Sequence, residues 1–252
     1  MANYKQENAF ILTSRIFSTK ISSIFSLVPG ANRETKTRSR LRMAIYTPLN
    51  KRETVRIAEE FGLGDFVSYS GIRNGSVNTH YLLETKRGRF FIKIDEVKSE
   101  VEVKQETELL FYLKRQGCPC PQPIKSKKGK YYHEFHSKYL SISRYIEGVE
   151  FALEALTPSH LEGLGHVLAD LHLISRGYKK GIDNRFGFTK IVTMYREVRR
   201  QLPSHLKNIV RVLDDEVSYL ENYLDNNLPK GIIHGDLFPD NVKFKGSRLV
   251  GI

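Results

Sequence analysis

His234-Gly235-Asp236-Leu237-Phe238-Pro239-Asp240-Asn241 is the stretch on which the reading of this chain turns. It has the form H-x-D-x-x-x-x-N, with Ile232-Ile233 before it and Val242 and Phe244 after it. A surface turn would also be rich in Asp, Asn and Pro. Apolar residues on both sides argue instead for a loop held between two strands, expected at 231–234 and 242–245. Where a phosphoryl group moves, a protein mostly positions the reactants and neutralises charge. An Asp in such a loop can orient an acceptor hydroxyl and take its proton, and an Asn five residues later can reach a magnesium ion on the phosphates. Asp236 and Asn241 are therefore the candidate catalytic and metal-binding residues.

Upstream of this loop the spacing predicts helices. Thr157-Pro158 is a strong start, with Thr as cap and Pro at the first helical position. Leu161, Leu164, Val167, Leu168 and Leu171 then recur at helical spacing through Ile174. Further helices are expected over 188–201 and 204–226, and a last strand over 248–252. His172, on the apolar side of the first of these helices, reads as a hydrogen-bonded core residue.

Before Gly148 the character is different. Asn50 can cap a helix whose apolar side is Val55, Ile57, Ala58 and Phe61, with Gly62 and Gly64 ending it. Strand-like runs follow at 66–70, 79–85 and 89–95, the last two joined by a turn at Lys86-Arg87-Gly88. A helix is expected over 99–116, stopped by Gly117, and then a second hairpin from 130–135 and 139–145. Lys93 lies in Phe91-Ile92-Lys93-Ile94, where by itself it would read as an edge-strand charge. Glu106 and, one turn away, Glu102 lie on the helix that follows.

Composition narrows the classes. The chain has 252 residues, 40% apolar and 11% aromatic, enough for a packed core. Its net charge of +12 is uneven: residues 1–42 hold eight Lys/Arg and two acids, half of the surplus. No nucleic-acid-binding motif or basic–aromatic stripe accompanies it, so no nucleic-acid partner is expected. No run of about 18 apolar residues exists, so no membrane partner is expected either. Residues 1–42, Ser-rich, basic and poor in acids, resemble a targeting segment. They are read as a non-domain N-terminal extension, an upstream misreading or targeting-like, with Met43 as the true start. The two cysteines, Cys118 and Cys120, fit no common zinc spacing with His133 or His136 and read as small apolar residues in a Pro-rich connector of a cytoplasmic protein.

H-G-D-x-x-x-x-N resembles the catalytic loop of the aminoglycoside phosphotransferase and choline kinase superfamily. Four stretches are similar to bacterial homoserine kinases of that fold: Met43-Ala44-Ile45-Tyr46-Thr47-Pro48-Leu49; Gly71-Ile72-Arg73-Asn74-Gly75-Ser76-Val77-Asn78; Cys118-Pro119-Cys120-Pro121-Gln122-Pro123-Ile124; and the 233–241 loop. The resemblance implies an α+β, protein-kinase-like two-lobed fold. Its N-lobe, residues 43–147, would carry a five-stranded antiparallel sheet plus a helix and bind ATP. Its mainly helical C-lobe, residues 148–252, would be incomplete.

The same resemblance implies roles. Lys93 would hold the nucleotide phosphates and pair with Glu106, Glu102 being the second choice. Ser76 and Asn78 would belong to the phosphate-covering turn, and the backbone of Tyr145 and Ile146 would meet adenine. Asp236 would serve as base or hydroxyl-orienting group and Asn241 as Mg2+ ligand, with ATP and Mg2+ as cofactors. The acceptor would be L-homoserine or a similar amino alcohol, a step toward threonine. Alternatives are a choline, ethanolamine or aminoglycoside kinase, or a non-catalytic pseudokinase-like nucleotide-binding protein. The family's second metal-binding Asp belongs in an Ile-Asp-Phe-like strand, whereas this sequence reads Arg248-Leu249-Val250-Gly251-Ile252. The expectation is a C-terminally truncated, inactive fragment.

Overall fold

Alternation in the strand Thr79–Thr85 (β2) sends Tyr81 and Leu83 to one face of a sheet, and alternation in Gly88–Asp95 (β3) sends Phe90, Ile92 and Ile94 to the same face. These strands join Phe66–Ile72 (β1), Tyr132–Phe135 (β4) and Lys138–Arg144 (β5) in an antiparallel sheet of order β1-β2-β3-β5-β4. The computed structural model describes residues 45–72, 77–182, 184, 186–224 and 231–252. The N-terminal extension, Met43 and Ser76 lie outside the described residues.

The helix Lys51–Glu60 (α1) covers the apolar face of the sheet. Asn50 caps it and Glu53 closes the capping box, and its buried Ile57 and Ala58 join Phe61, Leu63, Leu83, Ile92, Ile94, Leu140 and Ile142 in one core. Phe135 and Lys138 flank a two-residue turn, His136-Ser137, in which both residues have positive φ, 49° and 58°. The helix Glu100–Arg115 (α2) begins at Ser99, whose side chain accepts from the Glu102 amide while the Glu102 carboxylate accepts from the Ser99 amide.

Beyond the sheet, the linker runs against a second small element. Val149 and Phe244 exchange two backbone hydrogen bonds of 2.9 Å. Phe244 belongs to the strand Lys243–Lys245 (β6), which pairs with Arg248–Gly251 (β7). This hairpin packs its Val242, Phe244 and Leu249 on Leu164 and Val167 of the helix Pro158–Ser175 (α3). A Cβ added at Gly148 would stand 2.9 Å from Lys243 Cβ and 3.1 Å from the Phe244 carbonyl, so the absence of a side chain there lets the linker lie on the hairpin.

Among the described residues, 45–180 and 231–252 fall in one compact unit and 181–224 in another. The second holds the helices Phe188–Arg199 (α4) and Lys207–Tyr223 (α5), whose facing residues Val192, Tyr195, Val198, Leu213 and Val217 form its core. Arg199 clamps α4 to α5 by donating to both Asp214 oxygens, at 2.7 and 2.8 Å. Burial and the Asp214 carboxylate push the Tyr195 phenol up to about 12.

Four expectations are corrected. Residues 231–234 are not a strand: they pair with none among the described residues, and Ile233 is exposed. His172 is exposed and not in the core; the buried histidine of α3 is His160, in its first turn. Of the apolar stripe on α3, Leu171 is buried, Leu164, Val167 and Leu168 are half-buried, and Leu161 is exposed, because the hairpin meets only part of that side. The helix expected over 204–226 begins as a short 3-10 turn and is α-helical over Lys207–Tyr223. Cys118 and Cys120 are buried and free, packed with Leu113 and Leu171.

Candidate active site

Because Ile92 and Ile94 point into the core, Lys93 and Asp95 share the opposite face of β3. The buried residues of α2, Val103, Thr107 and Leu113, set that helix so that Glu106 reaches Lys93. The Lys93 ammonium donates to both Glu106 oxygens, at 2.7 and 2.9 Å. Of the two candidate partners the structure pairs Glu106 with Lys93, while the Glu102 carboxylate accepts from the Ser99 amide and hydroxyl, both at 2.8 Å.

Two further charges complete the group, and the sequence had not singled them out. Lys98 Nζ lies 2.7 Å from Glu106 Oε2 and 3.5 Å from Asp95 Oδ1, and Lys93 Nζ lies 3.2 Å from the same Asp95 oxygen. Burial alone would lower the Lys93 ammonium, but Glu106 and Asp95 outweigh it and hold the group above the usual lysine range. Burial alone would raise Glu106, but Lys93 and Lys98 hold it below the usual carboxylate range. The available signal was the i, i+2 spacing of Lys93 and Asp95, which puts both on one strand face.

The second constellation is the 234–241 loop. Gly235 has φ 78°, in the left-handed region, and turns the chain between His234 and Asp236. The Asp236 amide donates to His234 Nδ1 at 3.3 Å. Burial lowers the His234 imidazole, with the Asp236 charge opposing the shift. A short 3-10 turn, Pro239–Asn241, brings Asn241 back so that its Nδ2 donates to the Asp236 carbonyl at 2.7 Å and to Asp236 Oδ2 at 3.0 Å. Leu237 anchors the loop in the cluster of Val242, Phe244 and Leu249, while the Asp236 side chain stays exposed. The loop thus presents a carboxylate and, beside it, an amide whose Oδ1 is the atom a hard cation would meet. Among the described residues no group of three His, Cys, Asp or Glu is placed to hold a metal. A single amide oxygen suits an ion such as Mg2+, which takes most of its ligands from phosphate and water.

Between the two lies the linker. The Tyr145 amide donates to the Arg89 carbonyl at 3.0 Å, so this N–H extends the sheet and is engaged; the Tyr145 carbonyl and the Ile146 backbone are what the linker offers a base. The Tyr145 ring has Arg89 4.9 Å from its centroid and Lys243 at 4.4 Å, and Lys243 Nζ donates to the Tyr145 hydroxyl at 3.2 Å. Asn78 accepts from the Glu96 amide at 3.3 Å through Oδ1.

A lysine–glutamate pair behind an antiparallel sheet, a linker, and an H-x-D-x-x-x-x-N loop before a hairpin define a kinase-like phosphotransferase fold. The sequence profile of the phosphotransferase enzyme family matches residues 68–252, and the chain belongs to that family. Among curated relatives it is similar to the homoserine kinase of Parvibaculum lavamentivorans, 30% identical over 211 residues, which covers 83% of this chain and 65% of that one. It is likewise 31% identical to the homoserine kinase of Nitrobacter hamburgensis, over 83% of this chain and 64% of that one. The chain thus spans 64–65% of the length of these relatives. Among solved structures, an amicoumacin kinase bound to AMP-PNP and Ca2+ matches with a TM-score of 0.60 at 14% identity, covering 80% of this chain and 62% of that one. A spectinomycin phosphotransferase bound to ADP and its antibiotic matches at 0.56 and 15% identity, covering 79% and 66%. At those identities the likeness is one of fold.

Proposed function

We propose that this chain is the ATP-binding and catalytic-loop portion of an ATP-dependent kinase that phosphorylates the hydroxyl of L-homoserine, in the cytoplasm. The observation that carries the reading is the Lys93–Glu106 pair, a fixed cation on the sheet face away from the core, in a chain whose likeness to homoserine kinases runs over 83% of its length. Lys93 would hold the nucleotide phosphates, with Ser76 and Asn78 contributing to their binding. The Tyr145 carbonyl and the Ile146 backbone would meet adenine. Asp236 would orient the acceptor hydroxyl and take its proton as the oxygen attacks the terminal phosphorus and ADP departs. Asn241 would hold Mg2+ through its Oδ1, and the ion would neutralise charge on the phosphates.

Two measurements test the reading. Calorimetric titration of the 252-residue chain with Mg·ADP should show binding that Lys93→Met abolishes. ADP release by the longest natural form of the chain, with homoserine, choline, ethanolamine and an aminoglycoside as acceptors, should respond to homoserine. Activity on choline or an aminoglycoside but not homoserine overturns the substrate, and nucleotide binding without turnover on any acceptor favours the pseudokinase-like alternative.

A further inference from the structure

The proposed reading uses Lys93 and Glu106 and leaves two charged residues beside them without a task. Asp95 is the more demanding of the two. Its side chain is 0% exposed, and neither of its oxygens makes a hydrogen bond among the described residues. A buried carboxylate in that position is compensated only by charge. The charges present are the ammonium groups of Lys93 at 3.2 Å and Lys98 at 3.5 Å, both on Oδ1. The same two ammonium groups also share Glu106, Lys93 at 2.7 Å on Oε1 and Lys98 at 2.7 Å on Oε2. Two cations and two anions alternate around a closed ring of net charge zero.

Local structure holds that ring together. Asp95 ends β3, Ser99 caps α2, and Lys98 lies in the short turn between them, three residues after Asp95. The nearby Glu102 is tied to Ser99. Without Lys98, one lysine would face two carboxylates, and the site meant to receive a polyphosphate would carry a net charge of minus one. With Lys98, half of the carboxylate demand is taken up elsewhere.

We infer that Lys98 is a positioning residue for nucleotide binding, which neutralises the Asp95 carboxylate buried behind Lys93 and so leaves the Lys93 charge available to phosphate. The inference rests on the proposed function, and it concerns charge balance, with no contact between Lys98 and nucleotide.

The test is a double-mutant cycle on the 252-residue chain, with Mg·ADP affinity read by calorimetry and stability by thermal melting. Lys98→Met should weaken binding by about fivefold or more, the scale of a modest coupling between neighbouring charges. Asp95→Asn should bind as tightly as the unsubstituted chain or tighter. The double variant, in which neither a surplus negative charge nor its counterion remains, should return to within about twofold of the starting affinity. A double variant as weak as Lys98→Met overturns the inference, since direct phosphate contact or mere bracing of the turn would not be rescued by Asp95→Asn. A Lys98→Met protein that melts earlier but binds with unchanged affinity overturns it as well. If Lys98→Met does not fold, Asp95→Asn decides alone, and weaker binding there refutes the charge balance. Should the unsubstituted chain bind no Mg·ADP, the proposed function falls and the inference with it; should that chain bind and Lys98→Met bind equally well, the inference alone fails.

Discussion

His160 offers the sharpest test of how the loop-bearing hairpin is held. Its ring is buried, with its centroid 4.7 Å from Phe151 and 4.7 Å from Phe244. Nδ1 accepts from the Thr157 amide at 3.1 Å, and Nε2, which then carries the proton, donates to the Gly246 carbonyl at 3.1 Å. One side chain thus caps α3 and pins the β6–β7 turn. His160→Phe keeps a ring and loses both hydrogen bonds, at about 1 kcal/mol each, for a total of about 2 kcal/mol. His160→Ala also loses two aromatic contacts, about 0.5–1.5 kcal/mol each, for a total of about 4 kcal/mol. With a urea m-value of about 2 kcal/mol/M, the unfolding midpoint should fall by about 1 M for Phe and about 2 M for Ala. Circular dichroism against urea measures both. In parallel, amide exchange at Arg248 and Leu249 should speed up in both variants. If His160→Phe matches the unsubstituted protein in midpoint and exchange, the hydrogen bonds do not hold the hairpin; if Ala is no worse than Phe, the ring packing is not what matters.

Further outcomes follow from other residues. Asp236→Asn should lower kcat by about 10²–10⁴ in whichever natural form turns over, with nucleotide affinity nearly unchanged; loss of Mg·ADP binding would place Asp236 in nucleotide recognition instead. Gly148→Ala puts a Cβ 2.9 Å from Lys243 Cβ and 3.1 Å from the carbonyl that Val149 uses, so the melting temperature should drop by the equivalent of about 1–3 kcal/mol, with faster exchange at the Val149 amide. Ser137→Gly relieves a positive φ of 58° and should raise stability by about 1 kcal/mol, seen as a higher urea midpoint. Glu106 titrates lower in the folded chain than unfolded, so its contribution to stability is complete above its ordinary value of 4.5 and is lost as pH falls through the depressed one. Glu106→Gln should therefore flatten the acid limb of the stability–pH curve, and an unchanged limb would refute the Lys93–Glu106 assignment.

Much of this molecule is written in short-range signals. Asn50 and Thr157 each cap a helix where the sequence places a cap, because a capping side chain needs only the amides of the next turn. Alternation through Phe91-Ile92-Lys93-Ile94 already sets Lys93 opposite the core, since strand side chains alternate whatever the partner strand. The 234–241 loop is equally local: its Asp236–Asn241 contact closes over five residues. Tertiary structure decided the rest. Glu102 and Glu106 are equivalent on an isolated helix, and only the docking of α2 on the sheet, with Val103, Thr107 and Leu113 inward, gives Glu106 to Lys93. Asp95 looks like an ordinary strand-end acid until β5 and α2 bury it between two lysines. His160 and His172 lie on the same helix with similar neighbours, and the hairpin, some 80 residues further along, buries one and leaves the other in solvent. Segment 231–234 has the apolar content of a strand but no edge to pair with among the described residues. Caps and alternation depend on bonds between residues a few positions apart, which the order of residues specifies directly. Partner choice among equivalent side chains depends on which faces meet across the fold, and that is settled only when the whole chain packs.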